Sequence, residues 1–345
     1  HFDFYDFWLQ SICVQSKNFE ASDLINEFIG KHIEKFKSKY DKIENKHQLG
    51  IEGNLSIDIN IDNFKDSFIQ IIDNNELNSK NCLLAIYGAY NIVLNDNIIK
   101  KRIFFHHIHH HNRINRFLED FPDTKILSMS RDPRANIVSG VLNHKAYNSE
   151  NMNGAHQYFY IKRILEDSRI LENYNKEYLS IRIEDLGSVE IIKELSLWLG
   201  IDYDRSLLKS TWAGLIWNGD RLSRNKKTGG KFSNKILNNK WENYLFLKDK
   251  YIFNFIMNDR LDQYGYDYKK KSLLSYLLIP IYNFFPLKYE MEIFSIFYVL
   301  RELKKGRYKI ILNNYFNYIK RVLLFQKYYL KQFNDHAKYN ILKID

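Results

Sequence analysis

The chain has 345 residues, of which 45% are hydrophobic and 27% are charged, proportions typical of a folded globular protein and unlike those of a disordered segment. It carries 51 Lys/Arg against 41 Asp/Glu, which gives a net charge of +10. The two cysteines, Cys13 and Cys82, lie outside any CxxC spacing. This arrangement excludes a disulfide framework or a zinc ribbon and favours a reducing, cytoplasmic setting.

The first part of the chain, residues 1–120, is predicted to be mainly helical. Apolar residues recur at helical spacing over residues 28–36 and 64–72. A short strand is expected over residues 101–108 and a short helix over residues 112–120. This part of the chain contributes no recognisable motif except its histidines.

A strand followed at once by a helix is predicted around residue 131. The run KILSMS (residues 125–130) is typical of a buried strand, and Asp132 is a good N-cap for the helix that follows. Open α/β sheets bind ligands at the carboxyl edge of their strands, where Arg131 would lie. A helix N-terminus, a guanidinium group and a hydroxyl, here that of Ser139 two turns into the helix, together suit a phosphate.

The same pattern of strand and helix returns later in the chain. EYLSIRIEDL (residues 177–186) predicts a second strand, Ser188 can cap the next helix, and Gly200 can end it. Strands that alternate with helices predict a parallel sheet with crossover helices.

Beyond this unit the sequence predicts a loop, a helix and a basic tail. Residues 218–240 are rich in Gly, Asn and Lys and indicate a long loop or lid. A helix is expected over residues 241–263, followed by a helical extension interrupted by Pro280 and Pro286. The apolar run at residues 273–285 is shorter than the roughly 20 residues that span a bilayer.

The positive charge is concentrated in this tail. Residues 271–345 have 13 Lys/Arg and 5 Asp/Glu, whereas the preceding 270 residues have 38 and 36. The nearly neutral body argues against nucleic acid as a partner. The tail is expected to pack partly on the domain and to leave a basic apolar face exposed, which predicts a peripheral membrane contact or a protein partner.

The segment FPDTKILSMSRDPRANIVSG resembles the sulfotransferase superfamily, whose members carry FPDAK-like residues, a strand, RDPR and a Ser eight residues after the Arg. The resemblance implies that Arg131 and Ser139 bind the 3′-phosphate of the donor 3′-phosphoadenylyl sulfate. The alternative is an Arg that only pairs with Asp132 or with a helix end.

Two further segments extend the resemblance over residues 100–268. YLSIRIEDL with ELSLWLGID is similar to the family's RYEDL and FLGI block, with Ile183 in place of the Tyr near the adenine. Glu184 and Asp185 are interpreted as organising the turn between strand and helix. The stretch from STWAGLIWNG to KWENYL is similar to a basic, glycine-bearing loop that closes over the 3′-phosphate, unless it is only a solvated loop. The candidate residues of that loop are Lys226, Lys227, Gly229 and Gly230.

The histidine cluster RIFFHHIHHHNR allows three interpretations. The family places a Lys or His base shortly before FPDAK, which implies His107 or His109 as the group that deprotonates the acceptor. Histidines four apart could ligate a metal, but no third ligand or HExxH pattern accompanies them. Core or surface histidines are the remaining interpretation.

The fold prediction is an α/β, P-loop-NTPase-like parallel sheet flanked by helices, with a domain over residues 1–268 and a basic helical extension over residues 269–345. A phosphosulfate loop of the P-x-x-G-T-T kind is not found among the 14 glycines. The domain is therefore expected to lack its first βα unit, about 30–50 residues upstream.

The function that the resemblance implies is transfer of a sulfuryl group from 3′-phosphoadenylyl sulfate, without a metal, to a hydroxyl of a carbohydrate, lipid, peptide or small molecule. The alternative is a non-catalytic membrane-surface or partner-binding protein on the same scaffold. A phosphotransferase would need a G-x-x-x-x-G-K-[ST] loop and carboxylates for Mg²⁺, and KILSMSRDPR gives it no support.

Overall fold

The computed structural model describes residues 2–13, 20–38, 49–96, 114–147, 154–167, 178–218, 230, 241–269, 271–331 and 341–342. These residues form mostly α-helices together with two small sheets. The chain divides into two compact units, residues 1–124 with 196–231 and residues 125–195 with 232–345.

The first unit is a helical assembly with an aromatic core. Trp8 stacks on Phe28 and Phe68, with ring centroids 5.1 and 5.6 Å apart. The side chains of Asn60 and Asn78 accept hydrogen bonds from the first turns of two helices and so cap them. The helices of this unit are α1 (Phe2–Cys13), α2 (Ala21–Phe36), α3 (Ile61–Asp73), α4 (Ser79–Val93) and α5 (Ile114–Asp120).

The helices predicted over residues 28–36 and 64–72 are confirmed as parts of α2 and α3, and the helix predicted over residues 112–120 is confirmed over Ile114–Asp120. The strand predicted over residues 101–108 lies outside the described residues. Later in the chain, this unit also holds a short antiparallel hairpin, with the strands Thr211–Trp212 and Leu215–Ile216.

The second unit combines a parallel strand pair with helices. Its strands are β1 (Ile126–Ser130) and β2 (Tyr178–Arg182). Its helices are α6 (Pro133–Tyr147), α7 (Gly154–Asp167), the beginning of α8 (Val189–Leu199), α9 (Leu247–Ile256), α10 (Asn258–Gln263), α11 (Leu273–Asn283), α12 (Ile296–Lys304) and α13 (Tyr308–Lys331).

The two strands pair in parallel, with Ile126 opposite Tyr178 and Ser130 opposite Arg182. The backbone N–H of Leu342 donates to the carbonyl of Ser180 at 2.8 Å and adds a bridge beside β2. The first predicted strand and the parallel pairing are confirmed, whereas the strand predicted over residues 177–186 ends at Arg182 and continues as a 3₁₀ turn at Ile183–Asp185. The described residues form a mainly helical α/β structure with a two-stranded parallel sheet.

Both predicted helix starts and the predicted stop are also confirmed. Asp132 accepts a hydrogen bond from the Arg134 backbone at 2.9 Å, and Ser188 accepts one from Ile191 at 3.3 Å. Gly200 follows α8 with φ +75°, the left-handed conformation that glycine adopts without strain.

The prediction of one helix over residues 241–263 is wrong. A 3₁₀ turn at Trp241–Tyr244 precedes α9, and α10 follows after Met257. The carboxylate of Asp249 accepts a hydrogen bond from the Phe246 backbone at 3.1 Å, which fixes a new helix start there.

The prediction that Pro280 interrupts the tail is also wrong, because α11 continues through it. A proline leaves the carbonyl four residues earlier without its helical donor. Here that carbonyl, of Tyr276, accepts from the Tyr329 hydroxyl at 2.9 Å instead. Pro286 does lie outside the helices, as predicted. Within the described ranges, none of the helices is long and apolar enough to cross a membrane.

Candidate functional site

The candidate site lies at the carboxyl edge of the parallel sheet in the second unit. β1 ends at Ser130 and β2 ends at Arg182, and these two residues face each other in the register. Arg131 is therefore the first residue beyond the edge, and α6 begins two residues later at Pro133. The site combines two features that favour anions, the positive end of a helix dipole and a guanidinium group.

The Arg131 side chain is half-buried, and its Nε is buried without a hydrogen-bond partner in the part of the chain that the structure describes. Burial lowers the pKa of this guanidinium, an effect that the nearby carboxylates of Glu184 and Asp132 oppose. The group keeps its charge because an arginine is not deprotonated in proteins. A buried donor without an acceptor costs free energy, so an anionic ligand that reached Nε would recover that cost.

Arg134, the second arginine of the RDPR sequence, makes four side-chain hydrogen bonds. Its Nε and Nη2 donate to the two carboxylate oxygens of Asp132 at 3.0 and 2.7 Å. Its Nη1 donates to Asn254 at 2.8 Å, and Nη2 also donates to the Asp267 carbonyl at 2.7 Å. The guanidinium also lies over the Trp241 ring, 4.6 Å from its centroid. Arg134 therefore holds the start of α6 in place.

Glu184 connects the two strand ends. Its Oε1 accepts from the Asp132 backbone N–H at 3.1 Å, and its Oε2 accepts from the Tyr266 hydroxyl at 3.1 Å. Burial, together with the Glu184 charge, raises the pKa of Tyr266, so the phenol stays protonated and donates. Asp185 accepts from Arg182 Nε and Nη2, both at 2.6 Å. Asp185 therefore organises the turn after β2, as interpreted from the sequence, whereas Glu184 joins that turn to the end of β1 and to Tyr266.

Ser139 lies on α6, half-buried, seven residues after Asp132. Seven residues are nearly two turns, so the two positions share one helix face about 10 Å apart along the axis. The helix thus places Arg131 at its beginning and Ser139 farther along, as the sequence predicted. The half-buried hydroxyl can donate to an anion.

Gly230 belongs to the first unit, where its carbonyl accepts from the Ser210 backbone at 2.8 Å. Its φ is +69°, and an added Cβ would lie 3.0 Å from the Ser210 carbonyl oxygen and 3.1 Å from Ile216. Close packing on the hairpin therefore explains why glycine stands at this position. The other predicted residues lie outside the described part of the chain: His107, His109, Lys226, Lys227 and Gly229.

Sequence reasoning missed Arg260, which reaches the same sheet edge from α10. Its Nη2 donates to the Ser130 hydroxyl at 2.8 Å, and its Nη1 donates to the Ile164 carbonyl at 3.2 Å. Nothing in the spacing around residue 260 marks this contact, because its partners lie about a hundred residues earlier. Among the described residues, no cluster of His, Cys, Asp and Glu could hold a metal ion.

No protein-family model, no curated protein and no solved structure matches this chain. The residues of the β1–α6 junction and the sequence pattern around them are therefore what indicates a function.

Proposed function

We propose that this chain binds 3′-phosphoadenylyl sulfate at the β1–α6 junction and transfers its sulfuryl group to a hydroxyl of a carbohydrate, lipid, peptide or small molecule. The observation that carries the proposal is Arg131, whose buried Nε has no partner among the described residues, at a helix start on the carboxyl edge of a parallel sheet. The sequence RDPRANIVS around it gives the proposal its specific ligand.

In this proposal the 3′-phosphate of the donor lies beside the first two turns of α6, between the Arg131 guanidinium and the Ser139 hydroxyl. The Arg131 guanidinium pairs with the phosphate oxygens, and the Ser139 hydroxyl donates to them. The helix N-terminus adds a favourable partial charge. A larger, P-loop-NTPase-like sheet built on the two described strands is part of the same proposal.

The reaction is an in-line transfer between oxygens. The acceptor hydroxyl oxygen bonds to the sulfur while the bond from sulfur to the 5′-phosphate oxygen breaks. The electron pair of that bond leaves with adenosine 3′,5′-bisphosphate, and the acceptor proton passes to His107 or His109 as the base. Positioning and charge stabilisation then supply most of the rate, as in phosphoryl transfer.

The test is a calorimetric titration of the chain with adenosine 3′,5′-bisphosphate, beside the variant Arg131→Ala. We expect the variant to bind at least about tenfold more weakly, because it loses a charge-assisted hydrogen bond to the ligand. The matched control is Arg205→Ala, which removes an exposed arginine and the same charge. Absence of binding by the unchanged chain, or equal affinity in Arg131→Ala, would contradict the proposal.

A further inference from the structure

Helix α13 has a second apolar face that no other residue in the described part of the chain covers. Its exposed residues recur at spacings of four, three, four and seven, so they form one stripe along the helix. They are Leu312, Phe316, Ile319, Leu323 and Leu330. Phe316 and Leu323 are 60% and 64% exposed, whereas Leu324 and Phe325 on the opposite side are buried in the core.

Helix α11 extends this surface. The Tyr276 carbonyl accepts a hydrogen bond from the Tyr329 hydroxyl, and the Asn283 side chain donates to the Val322 carbonyl at 2.9 Å. Because the later residue of α11 contacts the earlier residue of α13, the two helices run antiparallel. With the core contacts of both helices on one side, helical geometry places their exposed residues on the other side. Helix α11 contributes Leu273, Leu277 and Ile281, and Phe284 follows directly after its end.

Lysines line the α13 stripe on its other flank. Lys309, Lys320 and Lys327 are exposed and lie about 60–80° around the helix from the stripe. The segments Leu273–Asn283 and Tyr308–Lys331 contain no Asp or Glu. The apolar surface is therefore flanked by positive charge, and the two helices that form it contribute no negative charge.

The carboxylates of residues 271–331 are each engaged by an arginine. The segment has 11 Lys/Arg, eight of them lysines, and 3 Asp/Glu. Arg321 binds Glu290 at 2.7 Å, and Arg301 lies 3.0 Å from Glu302 and 3.5 Å from Glu292. In these ion pairs the arginine charges and the carboxylate charges compensate each other. The net positive charge of this segment is therefore carried by its lysines.

We propose that the exposed face of α11 and α13 docks on an anionic lipid surface. The apolar stripe enters the boundary between headgroups and acyl chains, while the flanking lysines keep their charges at the headgroups. A second copy of the chain is a poorer occupant, because two such faces would bring their lysines together. The proposal stands apart from the sulfuryl transfer, since none of its residues belongs to the β1–α6 junction.

The test is flotation of the chain with vesicles of phosphatidylcholine, with and without phosphatidylserine. We expect binding only to the anionic vesicles, weakened by added salt. Leu323→Glu should lower the partition into the vesicles at least about tenfold, because a leucine that the bilayer would bury is replaced by a charge. Lys320→Gln and Lys327→Gln should each lower it about fivefold.

Matched control variants carry the same kinds of substitution outside the exposed face of α11 and α13. Leu197→Glu changes a leucine that is 75% exposed outside the face, and Lys80→Gln with Lys209→Gln removes two exposed lysines of the other unit. These variants should bind like the unchanged chain. Failure to bind anionic vesicles, or an equal loss in Leu197→Glu, would overturn the proposal. A concentration-dependent dimer in sedimentation that Leu323→Glu dissociates, without vesicle binding, would instead assign the face to a second copy.

Discussion

At the scale of single residues, the two arginines of the RDPR sequence have opposite environments. Arg134 is buried and donates to Asp132, Asn254 and the Asp267 backbone. Arg131 is half-buried, with a buried Nε that no described residue accepts from. The motif itself does not separate these two roles, because two of the Arg134 partners, Asn254 and the Asp267 carbonyl, lie more than a hundred residues away and are brought there by the tertiary fold.

We predict that Arg134→Ala lowers the free energy of unfolding by about 3–5 kcal/mol, because the Asp132 carboxylate then stays buried without its partner. Arg131→Ala should change the free energy of unfolding by less than about 1 kcal/mol, because Arg131 Nε makes no hydrogen bond to the described residues that the substitution could remove. Urea denaturation of both variants measures the difference. The reverse order of destabilisation would show that Arg131 is the structural residue of the pair.

At the scale of elements, local signals predicted the strand pair and the starts of α6 and α8 well. Caps such as Asp132 and Ser188 act on their own first turn, so the sequence contains the information. The continuation of α11 through Pro280 depends on the Tyr329 hydroxyl, which arrives from another helix. Local sequence patterns cannot predict a donor that is so distant in the sequence. For the same reason they do not predict the contact of Arg260 with the end of β1.

Gly140 in α6 lies close to Tyr160 in α7, and this contact predicts how substitutions of glycine change stability. A Cβ at Gly140 would lie 2.8 Å from the Tyr160 ring, whereas one at Gly30 in α2 would meet nothing within 4 Å. Gly30→Ala should therefore stabilise the protein by about 0.5–1 kcal/mol through helix propensity. Gly140→Ala should destabilise it by about 1–3 kcal/mol through overpacking.

Thermal unfolding of both glycine variants, with Gly140→Ala also tested together with Tyr160→Ala, checks this prediction. The double variant should recover part of the loss, because removal of the ring makes room for the methyl group. Stabilisation by both single substitutions would contradict the close approach of α6 and α7.

At the scale of the whole molecule, the sequence showed where the charge is concentrated but not which surface carries it. Both sides of α13 are apolar in the sequence, and only the contacts with α11 and with the core decide that Leu324 is buried and Leu323 exposed. In the same way, the motif indicated a phosphate at α6, while the absence of a partner for Arg131 Nε among the described residues became visible only in three dimensions.

The central claim is that Arg131 recognises a 3′-phosphate, and a comparison of two ligands with two proteins tests it most directly. Calorimetry would measure adenosine 3′,5′-bisphosphate and adenosine 5′-monophosphate against the unchanged chain and against Arg131→Ala. We predict that the 3′-phosphate strengthens binding at least about tenfold in the unchanged chain and much less in the variant. An equal gain from the 3′-phosphate in both proteins, or no gain in either, would contradict the account.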